Sequence, residues 1–153
     1  MHNDHDIRVL NSLIVTTIDS VNGYREAANN ATAGQFRSIF MARADERDEV
    51  VRDLQAHVRD LGGTPDDDGS TLAGAHRFFL DIRDALTGKD DQAVIAEVER
   101  GEDHIKHKYE AALADTELSP HCRDVVQRCF RSVKEGHDQM RDLKHGVSGS
   151  TAL

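Results

Sequence analysis

The sequence predicts an all-α fold, in which four long helices form a bundle within one domain. Apolar residues recur at steps of three and four along four segments, which is the period of one helix face. The 153 residues contain only 2 prolines and no Trp, so the core must be built from aliphatic side chains and a few Phe and Tyr residues. This length is typical of one domain. Together these observations favour helices packed on helices.

The four long helices are predicted over 7–30, 35–61, 91–114 and 120–144. The apolar face of the first carries Leu10, Ile14, Val21, Tyr24 and Ala28. The second has a similar stripe and ends at Gly62-Gly63, a glycine pair typical of a helix C-terminus. Asp90 or Asp91 can cap the third helix. Ser119 before Pro120 is a typical start for the fourth.

The connection between the second and third long helices predicts their relative direction. Residues 62–71, GGTPDDDGST, form a linker, and a shorter helix follows over about 72–86. At about 1.5 Å per residue, this connection can return along the whole bundle. The second and third long helices would then be parallel, as in the ferritin-like arrangement. The alternative is an up-down bundle with the short helix packed as a lid.

The predicted domain covers 7–145. The polar N-terminus, 1–6, and the segment 146–153, GVSGSTAL, are expected to be disordered tails.

Composition excludes several classes of function. The net charge is −9, whereas a nucleic-acid-binding protein is normally basic because phosphate neutralisation supplies much of its affinity. No apolar run is long enough to span a membrane, and the N-terminus has acidic residues where a signal peptide needs a basic patch. We therefore expect a cytoplasmic protein that binds neither nucleic acid nor a membrane.

Two turns of helix separate Cys122 from Cys129, too far for a disulfide, so both are expected to be buried apolar residues.

Polar residues within the apolar stripes are the candidate site. Helical projection places Arg47, Glu102, His137 and, at one margin, Tyr24 on core faces. Arg47 and Glu102 fall at the same mid-bundle level, and buried charges are unfavourable unless paired. We predict that they form an ion pair. The alternatives are that Glu102 ligates a metal or that Arg47 extends to solvent.

His137 is expected in a second polar layer, at the height of Tyr24, Arg43 and Glu97. The simpler interpretation is a core histidine hydrogen-bonded to Tyr24 or to a carboxylate. The alternative is a metal ligand.

A second hypothesis for these inward polar residues is a metal site inside the bundle. Glu102 and His137, helped by Asp48, would bind one divalent cation such as Fe, Mn or Zn. A di-iron carboxylate bundle also needs Glu-x-x-His motifs, and this chain has none, which argues against an enzyme. Glu99, Asp103 and His107 share an exposed helix face and are interpreted as a solvated surface.

Several segments together indicate a family. GYREAA at 23–28, ERGED at 99–103 and the GHD that opens GHDQMRDL at 136–143 are the most specific. With these, the chain resembles a bacterial family of unknown function, described as ferritin-like four-helix-bundle proteins. The resemblance implies a ferritin-like fold and a bacterial cytoplasmic origin, but no reaction. A polar site in such proteins would correspond here to Tyr24, Glu26, Glu99, Glu102, His137 and Asp138.

The sequence thus favours a non-catalytic bundle with a structural or stress-related binding role that self-associates, most simply as a homodimer. The alternative is a divergent ferritin-like protein that binds a divalent metal.

Overall fold

The computed structural model describes residues 3–66 and 90–150, with side chains up to Gly146. Within these ranges the chain forms four helices and no strand. They are α1 (Asp4–Asn30), α2 (Gly34–Asp60), α3 (Asp91–Leu113) and α4 (Pro120–Ser150). The predicted all-α four-helix bundle is confirmed. The short helix expected over 72–86 lies outside the described residues.

Contacts between helix ends define the directions of the helices. The start of α1 lies beside the ends of both α2 and α3, since Asn3 donates to the Leu61 carbonyl and His5 lies 2.7 Å from Asp115. At the other end of the bundle, Asp91 at the start of α3 accepts hydrogen bonds from Thr32 and Ala33, just before α2 begins. Helices α2 and α3 are therefore parallel, and α1 is antiparallel to both. This is the direction predicted from the length of the connection.

Both predicted tails are partly helical. Helix α1 begins at Asp4, and Asp6 is buried at 3% exposure, where it accepts a hydrogen bond from the Ser119 backbone N–H. The expectation of a disordered segment over 1–6 is therefore wrong for its second half, because partners from the α3–α4 connection hold these polar residues. Helix α4 also continues to Ser150, beyond the predicted limit at 145.

The helix ends follow the capping signals in the sequence. Gly62 has a φ of 86°, and the N–H groups of Gly62 and Gly63 donate to the carbonyls of Arg59 and Val58, a Schellman motif. Asp90 is the N-cap of α3 and accepts from the Ala93 N–H at 2.8 Å. Ser119 accepts from the Cys122 N–H and precedes Pro120, the first residue of α4.

The apolar core is divided into two clusters along the bundle. The first contains residues from the C-terminal halves of α2 and α3, with Leu54, Ile105 and Tyr109 among its members, together with residues of α1 and α4. The second lies toward the other end and includes Tyr24, Phe40 and other residues from all four helices. Arg47 and Glu102 lie between these clusters in sequence on α2 and α3. The division leaves a polar layer at mid-bundle.

Among the described residues, no helix is both long enough and apolar enough to cross a membrane.

Candidate functional site

Arg47 and Glu102 form a buried, bidentate ion pair across the bundle. Arg47 Nη1 donates to Glu102 Oε1 at 2.7 Å, and Nη2 donates to Oε2 at 2.8 Å. The two side chains are 1% and 2% exposed. Two parallel hydrogen bonds are the strongest geometry available to a guanidinium and a carboxylate. The predicted ion pair is confirmed, and both oxygens of Glu102 are engaged.

Two residues of α1 complete the surroundings of Arg47. Ser20 Oγ accepts a hydrogen bond from Arg47 Nη1 at 2.7 Å. The Tyr24 ring lies 5.4 Å from Arg47 Cζ, within the range of a cation–π contact. Burial alone would lower the pKa of Arg47, but the charge and hydrogen bonds of Glu102 outweigh it and raise that pKa. The guanidinium therefore stays charged inside the core.

Gly136 lets α4 approach this ion pair. A Cβ atom built at Gly136 would overlap with Arg47 Nη2 and lie 2.8 Å from Glu102 Oε2. The Cβ atom would thus lie closer to both the guanidinium and the carboxylate than an ordinary van der Waals contact allows. The glycine therefore allows the α4 backbone to cover the pair and exclude water, which strengthens its electrostatic attraction.

A cavity of about 30 Å³ lies between α1 and α3, beside the ion pair. It is lined by Thr16, Asp19, Ser20, Gly23, Tyr24, Val98, Gly101, Glu102, His104 and Ile105. Within the described part of the chain, Asp19 Oδ2 and the Tyr24 hydroxyl are buried without a hydrogen-bond partner. The volume suffices for one water molecule.

Burial raises the pKa of two groups that line this cavity, the Asp19 carboxyl and the Tyr24 hydroxyl. It raises the pKa of Asp19 to about 7, because the charged form loses its hydration. Burial also raises the pKa of Tyr24, and the negative charge of Glu102 adds to this effect. Tyr24 is therefore neutral at physiological pH, and Asp19 titrates near neutrality.

His137 lies at the edge of the bundle between α3 and α4. Its Nε2 is 2.6 Å from Asp103 Oδ1, and its Nδ1 is 3.4 Å from Asp138 Oδ1. The side chain is only 9% exposed. The predicted hydrogen bond from a core histidine to a carboxylate is thus confirmed.

The predicted layer of His137 with Tyr24, Arg43 and Glu97 does not form. Arg43 donates to Gln139 and Glu46, and Glu97 accepts from Arg100 on its own helix. Tyr24 faces Arg47 instead. The layer was assigned from heights along the bundle, and height alone does not define which way each helix is rotated.

The structure does not bring Glu102, His137 and Asp48 together. Glu102 is bound by Arg47, His137 by Asp103, and Asp48 accepts a hydrogen bond from Arg52 one turn further along α2. Asp48 is 30% exposed, on the outer side of the helix.

A different group of potential metal ligands does converge. Ligand atoms of Glu99, Asp103 and His137 all lie within 4.8 Å of one another. The sequence predicted that Glu99 and Asp103 share a face of α3, but it joined them to His107. In the structure His107 is 79% exposed and lies near Glu110, while His137 of α4 completes the group.

Asp19, Ser20 and Gly136 belong to the mid-bundle site, and sequence reasoning did not assign them to it. Asp19 and Ser20 adjoin the predicted stripe of α1 without belonging to it, so helical projection places them outside. The glycine of the GHD motif was a usable signal, because a glycine inside a long helix is unfavourable and calls for a packing reason.

The two cysteines are free and buried, as predicted. Burial raises the pKa of each thiol to about 12, and nearby carboxylates add to the effect, Asp6 at Cys122 and Asp53 at Cys129. Neither has the lowered pKa of a reactive thiol.

The fold and the buried polar layer define an all-α four-helix bundle with an internal arginine–glutamate pair. Residues 5–115 match the family described as Domain of unknown function (DUF2383), and the chain belongs to that family. The match covers α1, α2 and α3 and ends before α4, so Gly136 and His137 lie outside it. A search of curated proteins finds no significant match.

Proposed function

We propose that this protein is a non-catalytic, ferritin-like helical bundle with a structural or stress-related binding role. One observation carries the proposal, the bidentate pairing of Arg47 with Glu102 at the centre of the bundle. In a ferritin-like di-metal protein, carboxylates converge on cations at this depth. Here the central carboxylate already has a cation, and that cation is a side chain.

The cost of displacing Arg47 supports this interpretation. A metal bound by Glu102 would have to separate the carboxylate from a guanidinium that is only 1% exposed. The guanidinium would then be a buried, unpaired charge, which is strongly destabilising. The geometry therefore gives less support to the alternative, a divalent metal held inside the bundle by Glu102, His137 and Asp48.

The parallel direction of α2 and α3 supports the ferritin-like arrangement within this proposal. We further expect a bacterial cytoplasmic protein that forms homodimers, and the net charge of −9 supports the expectation that it binds no nucleic acid. Self-association is tested by the mass of the untagged protein in light scattering after size-exclusion chromatography. A monomer at all concentrations would contradict it.

Oxidation of added ferrous iron tests whether the bundle is catalytic. Untagged protein is mixed with Fe²⁺ and then with oxygen or peroxide. The rate of Fe²⁺ oxidation is compared with the rate in buffer alone. The matched control is the double variant Arg47→Met/Glu102→Leu, which removes the central carboxylate while keeping the volume of the core filled. We expect equal rates for the wild type, the variant and buffer. Stoichiometric, redox-active iron with turnover that depends on Glu102 would overturn the proposal.

A further inference from the structure

The edge between α3 and α4 carries two carboxylates and an imidazole that the central ion pair does not use. Glu99 and Asp103 are four residues apart on α3, so their side chains lie on one face. His137 reaches them from α4, and its Nε2 is 2.6 Å from Asp103 Oδ1. Ligand atoms of the three residues lie within 4.8 Å of one another. We propose that Glu99, Asp103 and His137 form a binding site for a divalent first-row transition-metal ion.

The distances suit one ion. Zinc binds imidazole nitrogen and carboxylate oxygen at roughly 2.0–2.2 Å, so its ligand atoms lie about 3–4 Å apart. Small side-chain rotations close the remaining gap. Three protein ligands also leave a position for water, since four-coordinate zinc is the usual minimum.

Asp138 orients the histidine for this role. Its Oδ1 lies 3.4 Å from His137 Nδ1, on the side of the ring away from Asp103. In the metal-free protein the contact between His137 Nε2 and Asp103 Oδ1 holds a proton, which a bound cation displaces into solvent. A proton on Nδ1 shared with Asp138 then leaves the lone pair of Nε2 for the ion. Carboxylates in this position fix the tautomer of metal-binding histidines and increase their basicity.

The local charges favour a cation. Two carboxylates face one another at the site, and a divalent ion neutralises both. The neighbouring Lys144 Nζ lies 3.5 Å from Glu99 Oε2 and is 45% exposed, so an ion can displace it at little cost. The imidazole ligand favours transition metals over Mg²⁺ and Ca²⁺, which prefer oxygen ligands.

The burial of the three ligands differs, and this gives the site one rigid side and one open side. His137 is 9% exposed and Glu99 15%, whereas Asp103 is 48% exposed. Asp103 faces solvent, so the ion can enter without opening the bundle. The site is separate from the central ion pair and does not depend on the proposed function, since neither oxygen of Glu102 takes part.

Titration calorimetry with Zn²⁺ and with Mn²⁺ tests the site on untagged, full-length protein. We expect one ion per chain for at least one of them, and much weaker binding of Mg²⁺ and Ca²⁺. Asp103→Asn and His137→Gln should each weaken binding by more than the roughly 10–100-fold typical of losing an outer-shell partner. Asp138→Asn should weaken it within that range.

Two control variants make the same kinds of substitution at a histidine and an aspartate outside the cluster. His107→Gln and Asp142→Asn change side chains that are 79% and 75% exposed. Both should keep the wild-type affinity. Because His137 is buried, the far-UV circular dichroism of each variant is recorded, and Asp103→Asn decides the outcome if His137→Gln fails to fold. Absence of stoichiometric binding by the wild type, unchanged affinity in Asp103→Asn, or equal losses in the controls would overturn the proposal.

Discussion

Gly136 of α4 lies so close to the Arg47 guanidinium of α2 that a methyl group at this position would overlap with it. The same methyl group would lie 2.8 Å from the Glu102 carboxylate. The close approach of α4 and the geometry of the ion pair are therefore coupled.

Gly136→Ala should destabilise the protein. Overpacking of a filled core costs about 1–3 kcal/mol. Alanine would otherwise be favoured, since it gains about 1 kcal/mol over glycine in a helix. We therefore expect a lower free energy of unfolding, measured by urea denaturation followed by circular dichroism.

Gly23→Ala is the matched control. Gly23 is also buried inside a helix, but nothing lies within 4 Å of a Cβ built there. The Gly23→Ala variant should gain about 0.5–1 kcal/mol in its free energy of unfolding, because alanine has the higher helix propensity. If Gly136→Ala is as stable as Gly23→Ala, the contact with the ion pair is not restrictive.

Removal of one partner of the ion pair should be costly. Glu102→Gln leaves the Arg47 charge buried without its counter-ion, and we expect a loss of about 3–5 kcal/mol in the free energy of unfolding. Arg47→Met should cost a similar amount, because it strands the carboxylate.

The double variant Arg47→Met/Glu102→Leu distinguishes charge from packing. It should recover most of the stability lost in either single variant, since apolar residues of similar volume often replace a buried ion pair without loss. Losses below about 1 kcal/mol in the single variants would instead match a solvent-exposed pair.

The ion pair could be predicted from sequence because both residues interrupt apolar stripes. Helical period shows which residues face inward, and the lengths of the connections show their height along the bundle. For Arg47 and Glu102 these two facts suffice, because both side chains project inward at the same height of the bundle.

Away from the axis the same reasoning fails. The partner of His137 depends on how α4 is rotated against α3, and the helical period of one segment does not contain that rotation. The contacts of His5 and Asp6 join residues more than a hundred positions apart, so local composition could not reveal them. Asp19 likewise lines a cavity whose other wall is α3, so the sequence of α1 alone does not indicate its burial.

The two thiols should resist modification in the folded protein. Cys122 and Cys129 are 1% and 3% exposed, and burial raises the pKa of each to about 12. At about pH 8 a disulfide reagent such as DTNB should react slowly with native protein and at once with both thiols in guanidinium chloride. Rapid reaction of the native protein would show that one of them is accessible.

The cavity carboxylate should make stability depend on pH. The pKa of Asp19 is raised from 3.8 to about 7, so between these values the folded protein holds a proton that the unfolded chain has lost. The contribution of Asp19 to stability is therefore fully present below about pH 4, decreases as the pH rises, and levels off above about pH 7.

Asp19→Asn isolates this contribution, because the amide has a similar shape and does not ionise. We expect the variant to gain stability relative to the wild type as the pH rises from about 4 to about 7, measured as the difference between their urea midpoints. Taking the difference cancels the other titrating groups, which both proteins share. A difference that stays constant across this range would mean that the Asp19 carboxylate is ionised throughout it in the folded protein, so that burial does not raise its pKa.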